Sequence, residues 1–202
     1  MKAVILVPYR SDGAERERNW CYCRTRWQEL GLPIREGDSD AEWSRARALN
    51  RSAEGEWDVA FIMDADTIFR SGVQVHKALT LASRSGSYVA AHDTLYYLTE
   101  KGTGDALRGT PLPECEHDGL PVQTWLDGVA VRRDVWDEAG GFDERFVGWG
   151  YQGAAFMCAV SKITEKERIP GDIYHLAHPG TWGGKDKTHL EANRALYEKE
   201  YA

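Results

Sequence analysis

Phe61-Ile62-Met63-Asp64-Ala65-Asp66-Thr67-Ile68 is the stretch from which the fold is read. The apolar run Val59 to Met63 has the length and make-up of a buried strand. Two carboxylates, one residue apart, close it. In open α/β sheets, ligands sit beyond the carboxyl ends of the strands. Side chains alternate along a strand, so Asp64 and Asp66 face the same way if the extended geometry persists. Two hard oxygen donors at that point suit a divalent cation carrying a diphosphate. A short pattern also recurs by chance, and a solvated strand end is the plain alternative.

Outward from this strand, helix and strand patterns alternate, which predicts an α/β layer fold with a mostly parallel sheet flanked by helices. Ala3–Val7 reads as a first strand, followed by the loop Pro8–Gly13. Trp20, Cys23, Trp27 and Leu30 follow helical spacing, and Gly31 and Pro33 end that helix. Pro33–Glu36 is a weaker strand closing at Gly37-Asp38, and a helix is expected from about Ala41 to Ala53. After the central strand, Val75, Leu79 and Ala82 mark a helix, and Ser87–Ala91 a strand. Thr94 to Gln123 has seven glycines and prolines and little periodicity, so it reads as a long functional loop. Val129–Val131 is a strand, Asp134–Ala139 and Tyr151–Ser161 are helices, and Asp172–Leu176 is a last strand. The glycine-rich stretch Pro179–Lys185, with Trp182, reads as a lid over a ligand, with a fixed solvent loop as its alternative, and Lys187–Tyr201 as a final helix.

Composition limits the function. The chain has 202 residues and a net charge of −7, which fits one domain and argues against a broad nucleic-acid footprint. Eight tryptophans and nine tyrosines supply flat faces for rings as well as core. No run of ~18 apolar residues predicts a membrane span. The N-terminal apolar stretch is too short for a signal peptide. The four cysteines lack zinc-site spacing, so reduced thiols and a cytoplasmic setting are expected.

A second stretch, Gly140-Gly141-Phe142-Asp143-Glu144 with Gly148-Trp149-Gly150, changes the weight of the first. With Val7-Pro8-Tyr9-Arg10, Ser44–Asn50, Asp64-Ala65-Asp66 and Ile173-Tyr174-His175-Leu176, it resembles the motif order of GT-A glycosyltransferases. The pattern is that of β-1,4-galactosyltransferases, chondroitin-polymerase-like enzymes and small family-two bacterial or phage enzymes. The resemblance covers nearly the whole chain. It implies a Rossmann-like GT-A fold and a nucleotide-diphospho-sugar donor, with residues 1–93 as the nucleotide and metal half and 94–202 as the acceptor and catalytic half. It implies Mn2+, or Mg2+, held by Asp66 and His175, with Asp64 on ribose or a metal-bound water. Pro8, Tyr9, Arg10, Asp38 and Arg45 fall to the nucleotide, Trp149 and Gly150 to the sugar end. Plain alternatives stand beside these roles: a surface arginine for Arg10, a turn aspartate for Asp38, a salt bridge to Glu42 or Asp38 for Arg45, and a core histidine for His175. His178, three residues on, faces oppositely in an unbroken strand and is the weaker ligand. Two carboxylates and one imidazole suit manganese.

The chain departs from the pattern at one place. The relatives follow Gly-Trp-Gly with a residue and then Glu-Asp, which bind and deprotonate the acceptor hydroxyl. Here Gln152 and Gly153 occupy that catalytic position. Neither is a base, and a base must reach the acceptor proton. Asp127, in Trp125-Leu126-Asp127-Gly128, is the leading substitute, with a turn aspartate as its alternative. The expectation is metal-dependent transfer from a UDP-sugar to a carbohydrate or other hydroxyl-bearing acceptor. The rival from another class is a catalytically impaired nucleotide-sugar-binding protein. A haloacid-dehalogenase-like phosphatase would use Asp64 as nucleophile, but its motif follows the first strand of the core. A sugar nucleotidyltransferase would need a glycine-rich phosphate loop that Pro8–Gly13 does not supply.

Overall fold

A computed structural model describes residues 1–40, 42–122, 127–178 and 189–202. The elements in chain order are β1 (Ala3–Pro8), α1 (Glu15–Gln28), β2 (Ile34–Gly37), α2 (Arg45–Ser52), β3 (Val59–Ile62), β4 (Thr67–Phe69), α3 (Gly72–Ser85) and β5 (Tyr88–Ala90). They continue as β6 (Thr94–Leu98), α4 (Glu100–Leu107), a 3₁₀ turn (Leu112–Glu114), β7 (His117–Val122), β8 (Val129–Arg132), α5 (Arg133–Ala139), α6 (Gln152–Ser161), β9 (Lys166–Arg168), β10 (Asp172–His175) and α7 (Leu190–Glu200). None of the described helices is long and apolar enough to cross a membrane.

The main sheet has the order β2-β1-β3-β8-β5-β9. Its strands are parallel except β8, which runs against both β3 and β5. Period-two alternation in β1 shows why helices cover both faces. Ile5 and Val7 pack with Trp20, Cys23 and Trp27 of α1 and Val75 and Leu79 of α3. Val4 and Leu6 pack the other way, with Ala46 and Leu49 of α2, Trp136 of α5 and Phe156 of α6. A strand buried on both faces must be apolar throughout, and Val59–Ile62 is.

Two features aim the ends of these strands. A Cβ on Gly37 would lie 1.9 Å from the Ala48 carbonyl oxygen, so only glycine lets the end of β2 press against α2. Gly128 has φ +64, and a Cβ there would meet Phe69 and His92. It turns the chain into β8 immediately after Asp127.

A second sheet, β4-β10-β6-β7, stands beyond the end of β3. Its presence corrects the expected loop over Thr94–Gln123, which carries β6, α4, the 3₁₀ turn and β7. Gly102 and Gly104 disguise α4. A Cβ at Gly102 would lie 1.9 Å from the Glu116 carbonyl oxygen, so this glycine serves close packing rather than a turn. Gly119 and Pro121 sit in β7, the edge strand, where a missing donor costs no ladder bond. The edge strand β9 was hidden by its charge, and β4 by its three-residue length. Helix α2 begins later than the expected Ala41, at Arg45, because Ser44 accepts from the Arg47 N–H and caps it. Trp125 and the expected lid Pro179–Lys185 lie outside the described residues.

Candidate metal centre and donor site

Met63 to Asp66 leave the sheet and turn, with the Thr67 N–H donating to the Asp64 carbonyl at 3.3 Å. The extended geometry therefore ends at β3, and the two carboxylates take different partners. The condition for both to face the same way is thus not met.

Asp66 opens the metal centre. β4 starts at the next residue and pairs antiparallel with β10, placing Thr67 opposite His175. His175 Nε2 lies 3.4 Å from Asp66 Oδ1, and His178 Nε2 lies 3.0 Å from Asp66 Oδ2. One donor atom from each of the three lies within 4.8 Å of the others. His178 is a correction. The alternation argument fails because β10 stops at His175, and the Leu176 N–H then donates to the Asp66 carbonyl at 2.8 Å. The chain wraps the aspartate, so both rings reach it. Burial opposes ionisation of Asp66, but His175 and then His178 hold its carboxyl well below the usual range. One carboxylate with two imidazoles fits manganese better than magnesium, which prefers oxygen and water. That donor set replaces the expected two carboxylates and one imidazole.

Asp64 belongs to a second cluster. Arg45, in the first turn of α2, donates from Nε to Asp64 Oδ1 at 2.8 Å, and its Nη2 lies 3.4 Å from Asp127 Oδ1. These are not the Glu42 or Asp38 partners considered from the sequence. Side-chain exposure is 13% for Arg45, 27% for Asp64 and 20% for Asp127, so the triad is mostly enclosed. Burial first, and then the Asp64 charge, push the Asp127 carboxyl well above its ordinary range. Burial disfavours the Arg45 cation, yet Asp64 and Asp127 raise its pKa on balance. Tyr97, cross-strand neighbour of His175, closes the other side with its ring 5.1 Å from the imidazole. Its phenol is pushed up to about 12 by burial first and then by the charges of Asp127, Asp64 and Asp66.

The end of β1 carries Pro8, Tyr9 and Arg10. Arg10 Nε donates to Asp38 Oδ1 at 2.8 Å, so two residues expected to read a nucleotide separately are joined. Trp43 stands over them with the Arg10 and Arg16 guanidinium carbons 5.4 and 5.7 Å from its ring. Sequence reasoning missed Trp43, although an aromatic directly before a helix cap and Arg45 was a usable signal. The Gly148 N–H donates to the Trp43 carbonyl at 2.9 Å, which ties the Gly148-Trp149-Gly150 segment to this rim. Trp149 is 67% exposed, so it is not a core residue. Asn193 of α7, buried and also missed, donates to the carbonyls of Val147, Trp149 and Gly150.

Gln152 starts α6 and is 6% exposed, with Oε1 lacking a partner among the described residues. Tyr151 before it holds φ 67, a left-handed conformation unusual for a side-chain-bearing residue. The amide is therefore held at the start of α6, at the position where the resemblance led to the expectation of an acid. It can accept a hydrogen bond but cannot take a proton.

No protein-family model matches the chain. No curated protein matches it in sequence. Solved structures are similar in fold. A mutant Drosophila β1,4-galactosyltransferase 7, complexed with manganese, UDP-Gal and xylobiose, gives a TM-score of 0.63 at 15% identity, over 95% of this chain and 79% of that one. The catalytic domain of the same Drosophila enzyme, with xylobiose, gives 0.60 at 15% identity, over 95% and 79%. A Pyrobaculum calidifontis mannosyltransferase, with GDP-Man and Mn2+, gives 0.51 at 14% identity, over 99% and 62%. At these identities the likeness is one of fold, and the chain has the mixed α/β GT-A fold.

Proposed function

We propose that the protein is a metal-dependent glycosyltransferase that takes a nucleotide-diphospho-sugar, with UDP as the nucleotide, and an acceptor hydroxyl. The observation that carries this is the Asp66, His175 and His178 cluster, whose donor atoms lie within 4.8 Å of one another at the end of β3 in a GT-A fold. Neighbours of that fold were solved with manganese and UDP-Gal, and with Mn2+ and GDP-Man. Those three residues would hold Mn2+, which when bound supplies a Lewis acid against the negative charge of the departing diphosphate.

The remaining roles follow from placement. The rim of Pro8, Tyr9, Arg10, Asp38 and Trp43 takes the nucleoside, with Trp43 offering a stacking face. Arg45 and Asp64 face the sugar and its phosphate. Trp149 and Gly150 border the acceptor, while the enclosed Gln152 amide shapes the start of α6 behind them. Asp127, enclosed beside Arg45 and Asp64, is the base, and burial and the Asp64 charge raise its carboxyl above the ordinary range in the direction that favours taking a proton. The haloacid-dehalogenase-like reading loses its ground: Asp64 follows the third strand and is engaged by Arg45.

Calorimetry of UDP with Mn2+ and with EDTA, on wild type and Asp66→Ala, tests the donor site. Wild type should bind far more tightly with the ion, and the variant should lose that gain. Equal affinity with and without metal would end the reading. The buried, non-basic Gln152 favours a second reading, a protein that binds nucleotide sugar without turning it over. Asp127→Asn separates the two. It should lower turnover ~100- to 10,000-fold if Asp127 is the base, with UDP affinity unchanged. No turnover in wild type over a panel of donors and acceptors favours the second.

A further inference from the structure

Thr67 and His175 are directly opposed across the antiparallel β4–β10 pair. Opposed residues share a face of the sheet, with Cβ atoms roughly 4.5–5.5 Å apart. Thr67 Oγ1 and His175 Nδ1 are both buried, and neither has a hydrogen-bond partner among the described residues. The other buried atoms in that condition, on Tyr22, Trp27, His92 and Gln152, belong to neither strand. Two orphaned polar atoms on facing residues are a matched pair. His175 Nε2 is turned to Asp66, at 3.4 Å. A neutral imidazole that offers its Nε2 lone pair to a cation carries its hydrogen on Nδ1. That N–H needs an acceptor, and a threonine hydroxyl is one. Rotation about χ1 moves the hydroxyl between staggered positions without moving the backbone. Metal-bound histidines almost always donate their second N–H to such a partner, which sets the tautomer and the ring angle.

We infer that Thr67 is a positioning residue of the metal centre: its hydroxyl accepts the Nδ1–H of His175, directly or through one water, and thereby presents the Nε2 lone pair to the cation. The inference rests on the metal reading above and adds a residue to it. It also gives the residue after Asp66 a use. The same strand that delivers the carboxylate delivers the support for the imidazole opposite.

The test uses the full chain with Thr67→Val, which keeps the shape and removes the hydroxyl, and Thr67→Ser, which keeps the hydroxyl. Thr67→Ala repeats the deletion without the added methyl, so that any crowding by valine is separated. Binding of Mn2+ alone is followed by electron paramagnetic resonance of the free ion. The His175 tautomer is followed in metal-free protein by its ring nitrogen-15 shifts. Valine and alanine should weaken Mn2+ binding about 10- to 100-fold, and serine should restore it. Valine should also shift His175 away from the Nδ1–H tautomer, while UDP binding in EDTA stays equal in all variants. Equal Mn2+ affinity with an unchanged tautomer in Thr67→Val overturns the proposal. Equal losses in valine and serine also overturn it, because they report packing. If wild type binds no Mn2+, the metal reading fails by itself. The nitrogen shifts then still decide: altered in Thr67→Val, they support the hydrogen bond, and unaltered, they remove it.

Discussion

His92 is fully buried past the end of β5, and its carbonyl accepts from Arg168 Nη1 at 2.7 Å. Its ring lies beside Gly128, where a Cβ would come within 3.3 Å of Nδ1. Burial first, and then the Arg168 charge, depress its pKa from the usual 6.5 to about 4. The folded protein therefore resists a proton that the unfolded chain accepts. Between those two values the unfolded state holds more protons, so stability rises with pH across that window. The contribution is complete above 6.5 and is lost as the pH falls toward 4. From roughly pH 7.5 to roughly pH 4.5 it amounts to about 2.5 kcal/mol, a large share of a typical domain's stability. Urea unfolding at those pH values, on wild type, His92→Leu and His92→Gln, measures it. Asp66 and the other carboxylates titrate in all three proteins, so the difference between curves isolates His92. Wild type should lose about 2.5 kcal/mol more than either variant over the interval. Parallel curves would refute the reasoning, since they would mean that the ring titrates normally in its cavity.

Arg45→Met leaves Asp64 and Asp127 facing each other without their shared cation. Urea unfolding should show a loss of about 2–4 kcal/mol at neutral pH, partly recovered by Asp127→Asn in the same chain. Asn193→Ala strips the donor from three carbonyls of the Val147–Gly150 segment and should lower stability by about 1–3 kcal/mol in the same assay. Gly37→Ala puts a Cβ 1.9 Å from a helix carbonyl oxygen, which cannot swing away as a side chain would. Thermal unfolding should show a cost of about 3 kcal/mol, or the chain should fail to fold. Asp66→Asn should lose the metal-dependent part of its UDP affinity, yet bind UDP in EDTA at least as well as wild type by calorimetry.

The parts of this fold readable in the sequence are those where one interaction dominates. The β1 and β3 strands are apolar on both faces, so period and composition agree. Asp66 and His175 were legible as candidates because one follows an apolar run closely and the other lies within one, and the structure brings the two side chains together. The misreadings share a cause: a residue's usual local meaning was overruled by a contact distant in sequence. Gly102 signals a turn until Glu116 is seen packed on it. His178 faces away from His175 by strand alternation until Leu176 is seen bonded to Asp66. Arg45 has plausible partners at Asp38 and Glu42 nearby in the chain, yet α2 is rotated so that its first turn meets Asp64 and Asp127. Trp43 and Asn193 were missed for the opposite reason. Nothing in the Asn193 window distinguishes an amide that serves a site from one that serves the core, and the one signal for Trp43 was its place directly before the Ser44 cap and Arg45.

On the proposed function, charge couples the metal and the nucleotide into one binding event. Three carboxylates, Asp64, Asp66 and Asp127, lie beyond the end of β3, two of them on Arg45 and the third against His175 and His178. The nearest guanidinium, Arg45, is already engaged by two of them. Arg10 is engaged by Asp38. A diphosphate arriving alone would therefore meet the Asp66 carboxylate in a partly enclosed site, where Coulomb repulsion is screened less than in water. A divalent ion held by Asp66 and two imidazoles reverses the sign at that point. The carboxylate of Asp66 is thus unfavourable to the donor without the ion and required with it. Neutralising it must move UDP affinity in opposite directions in EDTA and in manganese. A purely structural Asp66, paired with its histidines only to hold β10 in place, would move both in the same direction.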